Sequence, residues 1–249
     1  MKWPEVDALA RNEVVIISCL SAVEQHSWHL PMGSDFIIGS EIVRRLEQSM
    51  PRDLLCLPTI WLGCSSHHLH FAGSMSARLA TMLHVIRDIA ASIHGHGFRK
   101  LLFVNSHGGN RAALAAAVQE VGHEFSSMDI VGVTYWELAK DDLASIRESK
   151  FGGMGHACEL ETSILLAVAP PLVDMSRAEV DGIPSASIYT RSDMLAAPPV
   201  AIFKAMDKIT RHGGSGDPRT ATAQKGEKFL DVIVAKLVDL CNDMRAGKV

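Results

Sequence analysis

Cysteine is scarce in this sequence, with five in 249 residues: Cys19, Cys56, Cys64, Cys158 and Cys241. They are odd in number, widely scattered and form no C-x-x-C pair. That spacing argues against a disulfide framework or a thiolate zinc site and favours a reducing cytoplasm. A basic surplus is also missing, since 24 Lys and Arg against 28 Asp and Glu give a formal net charge of −4. Nothing in that balance would hold nucleic acid or an anionic membrane. No apolar run approaches the roughly 18 residues that a membrane helix requires. The opening MKWPEVDALARNE lacks the apolar core of a signal peptide. Hydrophobic residues at 47% and charged residues at 21% exclude a disordered or low-complexity chain. We therefore expect one cytoplasmic domain over 1–249, with no nucleic-acid or membrane partner.

Strand and helix signals alternate. Val14 to Ser21 is a β-branched run that reads as a buried strand. After Pro31-Met32-Gly33, Ser34 or Asp35 can cap a helix carrying Ile38, Ile42 and Leu46, which ends before Pro51. Leu54 to Leu62 reads as a second strand, interrupted by Pro58, and a helix from about Ser76 to Ile93 follows. Lys100 to Asn105, Arg111 to Phe125 and Asp129 to Tyr135 then read as strand, helix and strand, with a terminal helix from about Ala221 to Met244. Strands followed directly by helices predict an α/β fold, a three-layer sandwich whose mostly parallel central sheet is flanked by helices. The stretch 170–220 holds six prolines and little periodicity, and is expected to be extended loop over the surface.

Twelve histidines stand out against these shortages, and several sit at chain turns. In open parallel sheets, ligands bind beyond the carboxyl ends of the strands, and three polar clusters fall at such places. Glu24 and His26 follow the first strand two residues apart, so an extended segment projects both to one side. Asp35, at the start of the next helix, can fold back toward them. Carboxylate, imidazole and carboxylate suit zinc, manganese or iron(II); the plainer alternative is a solvated loop. Asn105-Ser-His107-Gly108-Gly109-Asn110 joins the third strand to its helix. It could cradle a phosphate on free backbone N–H groups, but it is neither G-x-G-x-x-G nor a P-loop, and His107 is better placed as a metal ligand.

The third cluster, His156-Ala-Cys-Glu159-Leu-Glu161, opens a helix. At 100° per residue, Glu161 shares a face with Ile164, Leu165 and Val168. A carboxylate on a buried face needs a cation, either a metal or a lysine or arginine from elsewhere. Glu159 points to the other side, where an exposed or supporting position is expected. His67, His68 and His70 follow the second strand and border the same region, and Trp136 closes the fourth as core or as an aromatic wall.

Taken together, these clusters resemble the creatininase family of metal-dependent amidohydrolases. Glu24-Gln-His26 with His29-Leu-Pro and Gly33-x-Asp35 is similar to the family's E-Q-H-x-x-H-L-P-x-G-x-D opening. His68-x-x-Phe71-x-Gly73 resembles its H-x-x-F-P-G segment with Ala72 in place of proline, and Asn105-x-His107-Gly-Gly-Asn110 its central turn. His156-Ala157 with Glu159 and Glu161-Thr-Ser resembles its H-A-G-E-x-E-T-S helix, and Gly216-Asp217-Pro218 its closing segment. Five such motifs in order are specific.

The resemblance implies two divalent metal ions per chain, zinc first, with manganese or iron as alternatives. Glu24, Asp35 and His107 would hold one and His26, Asp35 and Glu161 the other, with a metal-activated hydroxide attacking the amide. His156 would pass a proton to the departing nitrogen. Ser65, His68, Gly108 and Trp136 would face the substrate, a small amide. A homo-oligomer, a hexamer by family resemblance, is also implied.

Creatininases proper carry a tyrosine and a glutamate where this chain has Gly108 and Gly109, and a tryptophan shortly before the His156-type residue, where this chain reads Phe151-Gly-Gly-Met-Gly155. Ser27-Trp28 replaces the commoner Gly-Pro. These departures point away from creatinine and toward another cyclic amide, a lactam or a formamide. Two alternatives are a catalytically inactive metal- or small-ligand-binding protein that keeps the fold, and a phosphate-ester binder using the His107-Gly-Gly turn. An idle descendant would be expected to have lost some of the five proposed ligands, and all five are present.

Overall fold

Val15–Leu20 (β1) and Lys100–Asn105 (β3) are buried at every position, as β-branched and aromatic runs in a doubly covered sheet must be. A computed structural model describes residues 1–182, 185 and 187–249. Leu54–Cys56 (β2) and Asp129–Thr134 (β4) complete a four-stranded sheet of order β2-β1-β3-β4. Every pairing in it is parallel, with Val15 opposite Leu54 and Lys100, and Lys100 opposite Asp129.

The helices fall on the two faces of the sheet. Ser34–Ser49 (α2), after a short N-terminal Trp3–Asp7 (α1), supplies Ile38, Ile42 and Leu46 to one core. Leu79–Gly95 (α3) and Arg111–Glu124 (α4) supply Ile86, Ile93, Leu114 and Val121 to the other. Tyr135–Leu138 (α5), Lys140–Ile146 (α6), Glu159–Val168 (α7) and Ala223–Arg245 (α8) join the α2 side. The expected three-layer α/β sandwich with a parallel centre is the fold found.

Two boundaries differ from the sequence reading. The second strand ends at Cys56, six residues early, because Pro58 has no N–H to continue the ladder. The chain still tracks β1 past that point, with Leu57 N bonded to Ile17 O and Ile60 N to Cys19 O, both at 2.9 Å. The third helix starts at Leu79 rather than near Ser76. The stretch 170–220 has short 3₁₀ turns and isolated bridges, but it does not all lie on the surface: Met206, Thr210 and His212 are buried. Ile183, Pro184 and Ala186, within that expected loop, lie outside the described residues.

The strand order places a topological switch beside β1, which is joined through α2 to β2 on one side while β2 is joined through α3 to β3 on the other. At such a point, connections leave in opposite directions and open a crevice at the strand ends. The loops after β1 and β3 enter it.

Candidate metal centre

Glu24, His26 and Asp35 reach the crevice from the β1–α2 connection, His107 from the turn after β3, and Glu161 from the first turn of α7. None is more than 4% exposed. Asp35 lies between two histidines: Oδ1 is 3.2 Å from His26 Nε2 and Oδ2 is 3.0 Å from His107 Nδ1. His107 Nδ1 is also 3.4 Å from Glu24 Oε1. Candidate ligand atoms of His26, His156 and Glu161 lie within 4.8 Å of one another, as do those of Glu24, His67 and His107.

The ring tautomers suit metal binding. His26 Nδ1 donates to the Glu24 carbonyl at 3.1 Å, leaving Nε2 toward Asp35. His107 Nε2 donates to the Cys64 carbonyl at 3.2 Å, with Ser65 Oγ also at 3.2 Å, leaving Nδ1 toward Glu24 and Asp35. Backbone carbonyls thus fix which nitrogen can ligate a metal. Both oxygens of Glu24 and Oδ2 of Asp35 are buried without a hydrogen-bond partner among the described residues. Buried carboxylate oxygens left unpaired are costly, and divalent cations would satisfy them. The donor set, carboxylate oxygen with imidazole nitrogen, fits zinc or manganese.

Electrostatics without metal agree with that requirement. Burial pushes the Glu24 and Glu161 carboxyls up to about 7. Burial opposes charge on His26 and His107 too, yet the facing carboxylates outweigh it. Asp35 takes the main part at His26 and Glu24 at His107, and the rings are raised to about 10 and about 9. Despite its burial, Asp35 is held well below the usual carboxylate range by His26 and His107. Protons occupy the places that cations would take.

Around the cluster, the chain is held in costly conformations. Ser27 and Ala157 have φ of 60° and 53°, the left-handed region that non-glycine residues rarely adopt. Ala157 N donates to Glu161 Oε2 at 2.6 Å. Ser27 N donates to Gln25 Oε1 at 2.8 Å, while Gln25 Nε2 donates to His68 Nδ1 at 2.6 Å. His29 Nε2 and Thr162 Oγ1, 2.9 Å apart, tie the β1–α2 connection to α7. Gly109 must be glycine, since a Cβ there would lie 2.0 Å from the Cys64 carbonyl oxygen.

Above the cluster is a cavity of about 270 Å³. Glu24, Asp35, His107 and Glu161 line it, as do His156, His68, Gly108 and Trp136. Burial and the neighbouring His26 push the His156 ring well below its ordinary value. His156 Nε2 donates to the Gln25 carbonyl at 2.6 Å, so Nδ1 is its free nitrogen, 3.6 Å from Glu24 Oε1.

Two expectations change here. Ser65 is fully buried behind His107 rather than lining the cavity, because its hydroxyl is turned to the His107 ring. Glu159 is fully buried rather than exposed, since α7 is enclosed on both sides. Glu159 takes Lys225 Nζ of α8 at 2.7 Å and the N–H groups of Glu148 and Ser149.

The sequence reading placed His67 only among three histidines bordering the region and did not single out Arg111, Asp193, Met194, Met206 or Ile209; all six line the cavity. His67 and Arg111 adjoin motif residues, which was the available signal. The other four come from the aperiodic 170–220 stretch, where no local pattern marks them.

A family model described as creatinine amidohydrolase (creatininase) matches residues 1–241. Creatinine amidohydrolase of Pseudomonas putida is 27% identical, aligned over 96% of this chain and 93% of that protein. A mycofactocin precursor peptide peptidase of Mycobacterium ulcerans (strain Agy99) is 30% identical over 91% of this chain and 82% of its own length. A mutant creatininase solved in a Zn-Zn form superposes with a TM-score of 0.83 at 26% identity, covering 98% of this chain and 95% of that one. Such a fold, with buried carboxylates and histidines gathered at its switch point, defines a metal-dependent hydrolase of C–N bonds. The chain belongs to the creatininase family.

Proposed function

We propose that this amidohydrolase cleaves a non-peptide C–N bond in a small amide, a lactam, other cyclic amide or formamide. Glu24, Asp35 and His107 would hold one divalent ion and His26, Asp35 and Glu161 a second, so that Asp35 would serve both. The observation that carries this reading is the set of unpartnered buried oxygens on Glu24 and Asp35, each facing a histidine whose tautomer leaves a free nitrogen. Zinc is the first candidate and manganese or iron the others; related creatininases are described in Zn-Zn and Mn forms. Bound there, divalent ions would polarise the amide carbonyl and lower the pKa of an attacking water toward neutrality.

The protein's own part is positioning and proton movement. His156 is neutral and presents Nδ1 to the cluster, so it can accept the proton the attacking water releases. It then delivers that proton to the departing nitrogen, and the C–N bond breaks to give an acid and an amine. The Gln25 carbonyl keeps His156 in the required tautomer. His68, between Gln25 and Glu24, and the Trp136 wall confine the substrate beside the open turn at Gly108. We place the whole activity in one cytoplasmic domain spanning 1–249, working as a homo-oligomer.

Elemental analysis of protein purified without chelators or a metal-binding tag tests this reading. Two divalent ions per chain are expected, together with release of amine from lactams, cyclic ureides or formamides. No metal after zinc and manganese are offered would overturn it and favour the inactive binder.

A further inference from the structure

Four carboxylates line the cavity: Glu24, Asp35, Glu161 and Asp193. The first three belong to the proposed ligand set, and Asp193 is taken by Arg147 at 2.9 Å. Arg111 is the one Lys or Arg among the described lining residues. It opens α4 directly after His107-Gly108-Gly109-Asn110, so a short turn fixes it relative to the proposed ligand His107. Its Nη2 pairs with Glu137 Oε1, and both side chains are close to half exposed, at 44% and 43%. A pair that open to water is weak and readily exchanged, and a guanidinium has five N–H donors to offer.

The surroundings leave room for an incoming group. A Cβ at Gly108 would meet no atom within 4 Å, so the turn before Arg111 borders open space. Arg111 also lines a second concavity of about 650 Å³ between α4 and β4, with Ala112, Ala115, Gly132, Thr134 and Glu137. The two concavities therefore share this side chain.

We propose that the substrate carries a carboxylate beyond the amide that is cleaved, and that Arg111 receives it, releasing Glu137 as the substrate enters. This rests on the amidohydrolase reading and names its substrate class, an amide acid rather than a neutral amide. A bidentate guanidinium–carboxylate contact would set both the charge and the orientation of the substrate.

Matched probes test it by calorimetric binding to the metal-loaded protein: 5-oxoproline against neutral 2-pyrrolidinone, and N-formylglycine against N-methylformamide. Each acid is expected to bind roughly 10- to 100-fold more tightly than its neutral partner. Arg111→Gln should erase that difference, Arg111→Lys should restore part of it, and Glu137→Gln should tighten the acids further. Metal content and melting temperature of each variant exclude misfolding as the cause, and Glu137→Gln keeps the test open if Arg111→Gln does not fold.

Equal affinity within the pairs, or no binding of either acid, would overturn the proposal. So would an acid preference that survives Arg111→Gln, because the carboxylate would then sit on the metal ions. Cleavage of neutral amides without acid preference would sink the Arg111 assignment alone. Arg111-dependent acid binding with no amide of any kind cleaved would sink the amidohydrolase reading alone.

Discussion

The floor of the cavity is built from side chains at the ends of β1 and β3 and in the first turn of α7, and each proposed ligand there is at most 4% exposed. Its roof comes from residues 192–215, a stretch with one short 3₁₀ turn and no α-helix or ladder strand. Roof neighbours are as open as Ile188 at 65%, Tyr189 at 60% and Phe203 at 71%. The anchors differ in kind as well. Floor ligands are held by buried backbone carbonyls and N–H groups, whereas the roof hangs on a few points. The chief one is Asp193, which takes Arg147 at 2.9 and 3.0 Å and the Gly152 N–H at 2.7 Å. On the proposed function the contrast separates two tasks: the floor would hold the metals, and the roof, with Gly108 and Arg111 at its edge, would shape what is admitted.

The largest effect should come from the floor. Glu161→Gln keeps the shape but removes a charge, and is expected to lose one metal and to lower turnover by roughly 100-fold or more. Elemental analysis beside a rate assay reads this, and a fully active two-metal variant would break the division at its base.

Metal removal tests the same floor through pH. Without metal, Glu24 and Glu161 are raised to about 7, His107 to about 9 and His26 to about 10. All four bind protons more tightly folded than unfolded. The stability they lend is therefore lost as pH rises, between about 4.5 and 7 for the two carboxyls and between about 6.5 and 10 for the two histidines, while metal binding strengthens as the same groups deprotonate. The difference in melting temperature between loaded and chelated protein should widen over that range, to roughly 8–16 °C for each ion bound at ~1,000-fold excess of metal over Kd. A gap that narrows with rising pH would remove these groups from the metal site.

The roof should respond differently. Asp193→Asn leaves the partly buried Arg147 without its anionic partner, and is expected to raise KM about 10-fold while both metals stay bound. Loss of metal in this variant would show that floor and roof are one unit. The smallest effect is expected at the outer rim, where Phe203→Ser should change stability within ~0.5 kcal/mol. A larger loss, with a fall in mass by light scattering, would mean that the roof packs on a second copy of the chain.

Much of the floor was legible before any coordinates. Strand and helix periods place Val14–Ser21 and Lys100–Asn105 correctly, because residues buried on both faces must be apolar throughout. The helical phase puts Glu161 among Ile164 and Leu165, and that carboxylate is indeed buried. The same phase turns Glu159, two residues away, to the other side but does not show that it is buried. Phase gives a direction but cannot tell that α8 closes over the other side and brings Lys225 to meet it. Ser65 teaches the same lesson at smaller scale: a hydrogen bond to His107, distant in sequence, decides where its hydroxyl points.

By itself, then, the sequence determined the layers, the order of strands and helices, and the ligand types at the strand ends. Those follow from terms that act over a few residues: side-chain period, the missing N–H of proline, and the turn residues between elements. Tertiary structure alone decided that Asp35 stands between two histidines, that backbone carbonyls choose their tautomers, and that residues 192–215 return to cover the cavity. Apart from the local bond of His26 to the Glu24 carbonyl, these depend on contacts closed across nine positions of chain for His26 with Asp35, 43 for His107 with Cys64 and 131 for His156 with Gln25. Their geometry exists only once the two cores on either side of the sheet have packed.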